Sequence, residues 1–377
     1  MLHALLTATA LAADASGARP GAGPPELRWS PLLDLRTSAE GASVGESASV
    51  QVGAAGRVGV EVERKVLKAR LSLQLSQEWA VDGSPAGGSG AAELGEAWLS
   101  FSPPISSAMG LTATAGVQPL DQDAGLLIGS DDRRRTARFP LAGLLTLRAA
   151  PWRLDGVVGL GGGPAPEVPG PEMEARTPFA AGRLSLGREN PVWRWEIAAT
   201  ALQLLPHTDE ALLTAGLTAT AGLNRVRLDA AAFVQEGESA PGILARGRAG
   251  LAMGEENRVV LRAGFMARGT DENPGFIRPL GTSDILGGWL GTLDSEAPLR
   301  DGFFDLEATL APPLRLHAEA HHFWEGGAAL GPELDLDLAW YWSPLAALRL
   351  RGSALTPWSP AEPTRLAGAL TFEASVP

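Results

Sequence analysis

Alternation of apolar and polar side chains between residues 299 and 358 constrains the fold of this chain more than any other feature. In 304–310 the even positions are apolar and the odd positions are polar. The same alternation recurs in 314–321, 333–342 and 348–351. A period of two residues indicates a β-strand with one apolar and one polar face. The segment therefore predicts four successive strands, each with charged groups on one face.

Two kinds of fold fit such strands: a sandwich with its polar face in water, and a sheet closed around a wet interior. The links at 311–313 and 343–344 contain proline and are very short, whereas the alternate links are longer and rich in glycine. Strands of about ten residues can cross a bilayer at a tilt, and several apolar faces end in tryptophan. These features predict an all-β fold, a closed antiparallel transmembrane β-barrel of the bacterial outer membrane.

Alternating segments recur through the whole chain. They lie near 26–38, 47–60, 66–80, 92–102, 109–118, 137–149, 152–161, 179–187, 191–205, 211–221, 225–236, 242–253, 257–268, 302–311, 314–325, 332–342, 346–356 and 365–376, eighteen in all. Links after even-numbered segments are nearly all short, and several links after odd-numbered ones are long. This sorting predicts short periplasmic turns, long external loops and two periplasmic chain ends.

The first 25 residues are expected to stay outside the barrel. Residues 1–12 have an apolar core and end in Ala-Leu-Ala, which predicts a signal peptide cleaved before Ala13. No Lys or Arg precedes the apolar core, so we expect either a signal peptide truncated at its start or a weak signal. Residues 13–25 read as a flexible leader, and 26–377 as the barrel.

Composition excludes several classes of function. The chain has no cysteine, which rules out disulfides and thiol catalysis, and it has no run of eighteen apolar residues that would make a transmembrane helix. A formal net charge of −12 opposes a nucleic-acid partner. Five histidines and no Gly-x-Ser-x-Gly motif give little support for an enzyme. We therefore predict no catalytic activity and no cofactor.

Assigning the more polar face of each strand to the lumen gives a set of inward charges, which must be paired or hydrated. The candidate lumen residues are Lys68, Arg70, Arg133, Arg135, Arg138, Arg246, Arg248, Arg262, Arg315, His317, Glu319, His321, Glu333, Asp335, Arg349 and Arg351, with Arg225, Arg227, Asp229, Arg258, Asp305 and Glu307 on the same faces. They fit a ladder of cross-strand ion pairs. They also fit an arginine-rich filter for an anionic or polyhydroxylated solute. Both roles can hold together.

Two further segments carry unusual residues. His317, Glu319 and His321 alternate on one face, a spacing that permits metal ligation and also fits a plain polar wall. We assign no metal there. The loop 119–136 has apolar residues at 126–128 just before its charged part, so we expect it, with part of 269–301, to fold against the inner wall and constrict the lumen.

Two stretches resemble the alginate-export outer-membrane porins. One runs from FIRPLGTSDILGGWLGTLDSEAPLRDG (276–302) into LRLHAEAHHFWEGGAALGPELDLDLAWYWSPLAALRL (314–350). The other joins GEAWLSF (95–101) to GVQPLDQDAGLLIGSDDRRRTARF (116–139). The resemblance implies an eighteen-stranded barrel whose arginine-lined constriction passes an acidic polysaccharide.

The sequence thus favours a passive channel for a polysaccharide or small anionic solute, in contact with outer-membrane lipid and periplasmic export partners. The alternatives are a general small-solute porin and a structural or docking barrel of an envelope complex. In a narrow lumen the sign of the local charge should outweigh the net charge of the chain.

Overall fold

The structure is a computed structural model. It describes residues 27–44, 47–80, 91–120, 127, 139–161, 177–190, 192–205, 211–236, 242–254, 258–269, 298–325, 328–359 and 363–376. The signal peptide and leader predicted for residues 1–25 lie outside these ranges, so their boundaries stay a prediction.

Eighteen strands make up the fold. They are β1 Arg28–Val44, β2 Ser47–Arg64, β3 Leu67–Ala80, β4 Ala91–Phe101, β5 Met109–Val117, β6 Leu141–Ala149, β7 Trp152–Gly161, β8 Thr177–Glu189, β9 Trp193–Leu204, β10 Leu212–Leu223, β11 Val226–Glu236, β12 Gly242–Met253, β13 Val259–Arg268, β14 Leu299–Ala311, β15 Leu314–Glu325, β16 Ala328–Ser343, β17 Ala346–Leu355 and β18 Arg365–Val376. No helix among the described residues is long and apolar enough to cross a membrane.

Every strand pairs antiparallel with its neighbours in sequence, and the first strand pairs with the last. In that closing pair, Leu33 lies opposite Val376 and Val44 lies opposite Arg365. The sheet therefore has no free edge, and each backbone N–H and C=O in its ladders can be bonded within the barrel. The predicted closed, antiparallel, eighteen-stranded barrel is confirmed.

Most of the links sort by length, as the sequence predicts. One end of the barrel, the short-turn rim, carries turns such as 65–66, 150–151, 312–313 and 344–345. The other end, the long-loop rim, joins the odd strands to the even strands that follow them. The hairpins β1–β2 and β15–β16 are linked by two residues each at that rim. Backbone pairing continues there beyond the predicted strand ends, because ladder hydrogen bonds do not depend on apolar alternation.

The two faces of the sheet differ in composition. Large apolar side chains on the outer face are exposed, among them Leu217 at 59%, Leu336 at 46% and Leu370 at 48%. The opposite face holds buried polar groups such as Glu96 and Thr214. Since an exposed apolar band around a closed barrel fits lipid, the molecule has the surface of a bacterial outer-membrane protein.

Tryptophans mark the margins of the outer face. Trp29, Trp152, Trp193 and Trp340 are exposed beside the short-turn rim, as expected for an interfacial aromatic belt. Trp98 is different: its indole Nε1 donates a hydrogen bond of 2.9 Å to Glu96 on the lumen face. Trp98 therefore lies on the lumen face and does not belong to the belt.

An arginine introduced on the lipid face should destabilise the barrel, whereas an arginine introduced on the lumen face should not. We expect Leu336→Arg, in the middle of the lipid face of β16, to lower the free energy of unfolding by about 2–4 kcal/mol, because a cation then enters lipid. Guanidinium unfolding of the protein in lipid vesicles measures this loss. The control is Thr220→Arg on the lumen face of β10, opposite Asp229 and Glu196. A comparable loss in both variants would contradict the assignment of faces.

Candidate functional site

The lumen wall is the candidate site, since the charged side chains of the strands collect there. The predicted residues within the described ranges all lie on the face opposite the exposed apolar side chains: Lys68, Arg70, Arg246, Arg248, Arg262, Arg315, His317, Glu319, His321, Glu333, Asp335, Arg349 and Arg351. Arg133, Arg135 and Arg138 lie outside the described residues. The loop 119–136 is described only at 119–120 and 127.

A buried carboxylate organises the wall formed by β2, β3 and β4. Glu96, whose side chain is only 2% exposed, accepts hydrogen bonds from Arg57 at 3.2 Å and from Arg70 at 3.3 Å. Arg70 also donates to Glu61 at 2.6 Å, and Lys68 lies 2.7 Å from the same carboxylate. The two carboxylates thus hold three cations, so this wall is braced by a network of ion pairs.

A β-bulge turns Glu96 toward the lumen. The register between β3 and β4 shifts between Leu71 and Leu73, so that two residues of β4 face Ser72 alone. The backbone N–H of Glu96 donates to the Ser72 hydroxyl at 2.8 Å. An extra residue exchanges the faces of the strand on either side of the bulge, which is why Leu94 and Leu99 both point outward.

Arg349 and Arg351, which the sequence places in the filter, are held in ion pairs. Asp337 accepts from Arg351 Nε at 2.8 Å and from Arg349 Nη1 at 3.4 Å. Arg349 Nε also lies 3.0 Å from Glu373, the neighbour of Arg36 across the barrel closure. The predicted pairing of these arginines with Glu333 and Asp335 is therefore wrong, since the register sets Asp337 opposite Arg351.

Arginines also line a cleft near the short-turn rim of β9 to β13. It has a volume of about 240 Å³, and its charged lining residues are Arg194, Arg227, Asp229, Arg248 and Arg262. Arg248 pairs with Asp229 at 3.1 Å, and Arg262 pairs with Asp305 and Glu307 at 2.7 Å each. Arg194 and Arg227 form no ion pair with another described residue. The cleft thus carries cations in excess.

Small residues make room for this cleft. A Cβ placed on Gly222 would lie 3.2 Å from Arg194 Cγ, and one placed on Gly250 would lie 3.3 Å from Arg262 Cγ. Both arginines therefore lie flat across a neighbouring strand, which keeps the space in front of them open. Arg246, next to the cleft on β12, has a buried Nε without a hydrogen-bond partner in the described structure.

The wall formed by β14, β15 and β16 is acidic and contains two histidines. His317 Nε2 lies 3.3 Å from both Asp305 and Glu319. His321 Nδ1 lies 3.0 Å from Asp301. The sequence predicted that His317, Glu319 and His321 share a face. The structure places carboxylates of the flanking strands β14 and β16 beside the two histidines.

An apolar patch covers the lumen side of β6 to β13 at the long-loop rim. Its buried members include Phe179, Leu202, Phe233 and Leu244, and Leu127 of the loop 119–136 packs among them with no exposed surface. Leu120, at the beginning of the same loop, belongs to the patch as well, so the described part of the loop lies against the inner wall at both residues. The remainder of the predicted constriction stays a prediction.

Several lumen residues were not singled out from the sequence. Asp337 continues the period-two series of Glu333 and Asp335, and that spacing could have found it. Glu96 was hidden because the bulge changes the face of its strand. Arg194 lies between Trp193 and Trp195 at the beginning of β9, where alternation gives no indication of a cleft.

Solved outer-membrane proteins share this fold. OpdO of Pseudomonas aeruginosa is 14% identical over 92% of this chain and 97% of its own, with a TM-score of 0.65. OccK9 (OpdG) of the same organism is 15% identical over 92% and 98% of the two chains, also at 0.65. OpdK is 12% identical over 93% and 99%, at 0.65, and has also been solved with vanillate. Identities this low show the fold alone.

No protein-family model matches the sequence, and no curated protein matches it. The structural neighbours are outer-membrane porins of the Occ/Opd type and not alginate-export porins. They share the fold of this chain, and the alginate-export resemblance finds no support in them.

Glu96→Gln should destabilise the barrel strongly. The change leaves Arg57 and Arg70 facing an uncharged group in a buried place, and breaking a buried pair costs about 3–5 kcal/mol. The midpoint of guanidinium unfolding measures it. Glu307→Gln is the matched control, because its side chain is 47% exposed and an exposed pair contributes about 0–1 kcal/mol. Equal shifts in the two variants would refute the bracing role of Glu96.

Leu127→Asp should raise the single-channel conductance. A carboxylate cannot stay unpaired in the apolar patch, so the loop must leave the wall at this point. Planar-bilayer recordings measure the change, with Leu127→Met as the control that keeps volume and polarity. Unchanged conductance in the aspartate variant would show that the contact of Leu127 with the wall does not limit the current.

Proposed function

We propose that this protein is a passive outer-membrane channel for small solutes that favours anions, and that the cleft containing Arg194 and Arg227 is where it selects them. The single observation that carries the proposal is the excess of cationic groups in that cleft. No chemical step is required of the wall. Solutes would diffuse through the lumen, delayed or speeded by its charges.

The choice of cleft follows from the ion pairs elsewhere on the wall. An arginine in contact with a carboxylate presents little net charge to a passing ion, and this applies to Arg70, Arg349 and Arg351. An arginine without such a partner acts on an anion with its full charge. At about 4 Å that attraction is about 1 kcal/mol even at the dielectric constant of bulk water.

Strands β9 to β13 carry both the cleft and the apolar patch, one near each rim. On β11, for example, Arg227 lines the cleft and Phe233 belongs to the patch. A small amphipathic anion would meet apolar surface at the long-loop rim and cations further in. OpdK, a barrel of the same fold, has been solved with vanillate, which is an aromatic carboxylate.

This proposal follows the small-solute alternative rather than polysaccharide export. The solved barrels of this fold are Occ/Opd porins, and a cleft of about 240 Å³ suits a small molecule better than a polymer chain. We also propose that the short-turn rim and both chain ends are periplasmic, because outer-membrane barrels place their short turns on that side.

Neutralising the cleft should reduce the preference for anions. We expect Arg194→Gln with Arg227→Gln to lower the chloride-to-potassium permeability ratio by about fivefold or more, since about 1 kcal/mol of attraction per arginine is lost. The reversal potential of the full-length protein in planar bilayers, under a KCl gradient, measures this ratio. The control is Arg351→Gln with Asp337→Asn, which removes one cation and one anion, leaves Arg349 paired with Glu373, and should leave the ratio nearly unchanged.

Two results would count against the proposal. A wild-type channel that favours potassium, or a cleft variant that keeps the wild-type ratio, would remove the cleft as the selective element. Absence of any conductance from a correctly folded barrel would contradict the channel itself and favour a structural or docking role.

A further inference from the structure

The acidic wall of β14 to β16 holds two clusters of histidine and carboxylate that the channel function does not use. The first consists of Asp305, Glu307 and His317, and the second of Glu319, His321 and Asp335. In each cluster the ligand-type atoms lie within 4.8 Å of one another. The register explains this proximity, because Asp305, Glu319 and Asp335 lie side by side on three successive strands.

The first cluster already has a permanent cation. Arg262 Nη1 donates to Asp305 and to Glu307 at 2.7 Å each, and it occupies the space between their carboxylates. Adding a metal ion there would displace a guanidinium that makes two charge-assisted hydrogen bonds. The two carboxylates of this cluster therefore already share a cation, which a metal ion would have to displace.

In the second cluster the ring of His321 is fixed from three sides. Its Nδ1 lies 3.0 Å from the Asp301 carboxylate, whose side chain is 3% exposed, and Phe323 stacks on the ring at 5.4 Å between centroids. Phe303 lies on the other side at 6.0 Å. A carboxylate that accepts the Nδ1 proton leaves the Nε2 lone pair free to bind a ligand. The same arrangement orients histidines that ligate metals.

The Nε2 atom of His321 points between two carboxylates without bonding to either. The side chain is 10% exposed, and Nε2 is buried without a hydrogen-bond partner in the described structure. It lies 3.8 Å from Glu319 Oε2 and 3.9 Å from Asp335 Oδ2, too far for a hydrogen bond. Two carboxylates beside Nε2 favour a positive charge at this place, which a proton on Nε2 supplies when no metal ion is bound and which a metal ion would supply in its stead.

We propose that His321 Nε2, Glu319 and Asp335 form a binding site for one divalent transition-metal ion such as Zn²⁺. Neighbouring ligand atoms around a tetrahedral zinc ion are about 3.4 Å apart, given bond lengths of about 2.0–2.1 Å, so small side-chain shifts complete the site. The imidazole selects zinc, nickel or copper over calcium and magnesium, which prefer oxygen ligands. Glu319 is 34% exposed, which leaves the ion open to water from the lumen.

A metal ion at this position would offset much of the negative charge on this part of the acidic wall. Glu319 forms ion pairs only with His317 and His321 among the described residues. Two positive charges there would offset the carboxylates of Glu319 and Asp335 and could hold an anionic solute through an open coordination position. The site faces the lumen, so ions reach it without any opening of the barrel.

Metal binding by the full-length barrel, produced without a histidine tag and stripped with a chelator, tests this site. Titration calorimetry with Zn²⁺ should show one equivalent bound by the wild type. His321→Ala should abolish this binding, and Asp301→Asn, which alters only the partner of Nδ1, should weaken it about 10- to 100-fold. Circular dichroism and heat-dependent gel mobility confirm that each variant is folded.

His322→Ala is the matched control, because His322 lies on the outer face against Trp324 and Trp358. It should bind zinc as the wild type does. The site is refuted if the wild type binds no zinc, if His321→Ala binds it equally well, or if Ca²⁺ competes on equal terms. None of these three outcomes depends on conductance. The zinc-binding test and the reversal-potential test can therefore fail separately.

Discussion

Hydrogen bonding between the first strand and the last is the interaction on which the rest of this structure depends. The ladder from Leu33–Val376 to Val44–Arg365 closes the sheet, so that no strand is left with an unpaired edge. In lipid no water is available to satisfy such an edge, and each unpaired backbone group costs several kcal/mol. Once the sheet is closed, alternating side chains can only face lipid or lumen.

Closure also forces the charged residues into a confined space, where each needs a partner or water. The charged side chains are paired differently in different parts of the lumen wall. Between β2 and β4 the buried carboxylate of Glu96 is shared by Arg57 and Arg70, and at β16 to β18 Asp337 and Glu373 serve Arg349 and Arg351. These pairs hold neighbouring strands together and contribute little field to the lumen.

The charges that are not cancelled by this pairing determine the electrostatic field in the lumen. The cleft of β9 to β13 has an excess of positive charge in Arg194 and Arg227, whereas the acidic wall of β14 to β16 has an excess of carboxylates around His321. The two regions are joined by Arg262, which lines the cleft and donates hydrogen bonds to Asp305 and Glu307 of the acidic wall. Net charge of the whole chain therefore says little about the field at either place.

The sequence by itself determined the strands, their number, their antiparallel order and which side chains share a face, because a period of two residues is a local property of an extended chain. It predicted one shared face for Arg262, His317 and the other charges, and these residues lie opposite the exposed apolar side chains. It could not determine which charges meet, since partners come from strands whose register is set by all the turns and bulges between them. The bulge opposite Ser72 turned Glu96 inward, and the register of β16 and β17 gave Asp337, not Glu333, to Arg351. Only the tertiary structure decided which arginines remain without a carboxylate and where His321 points.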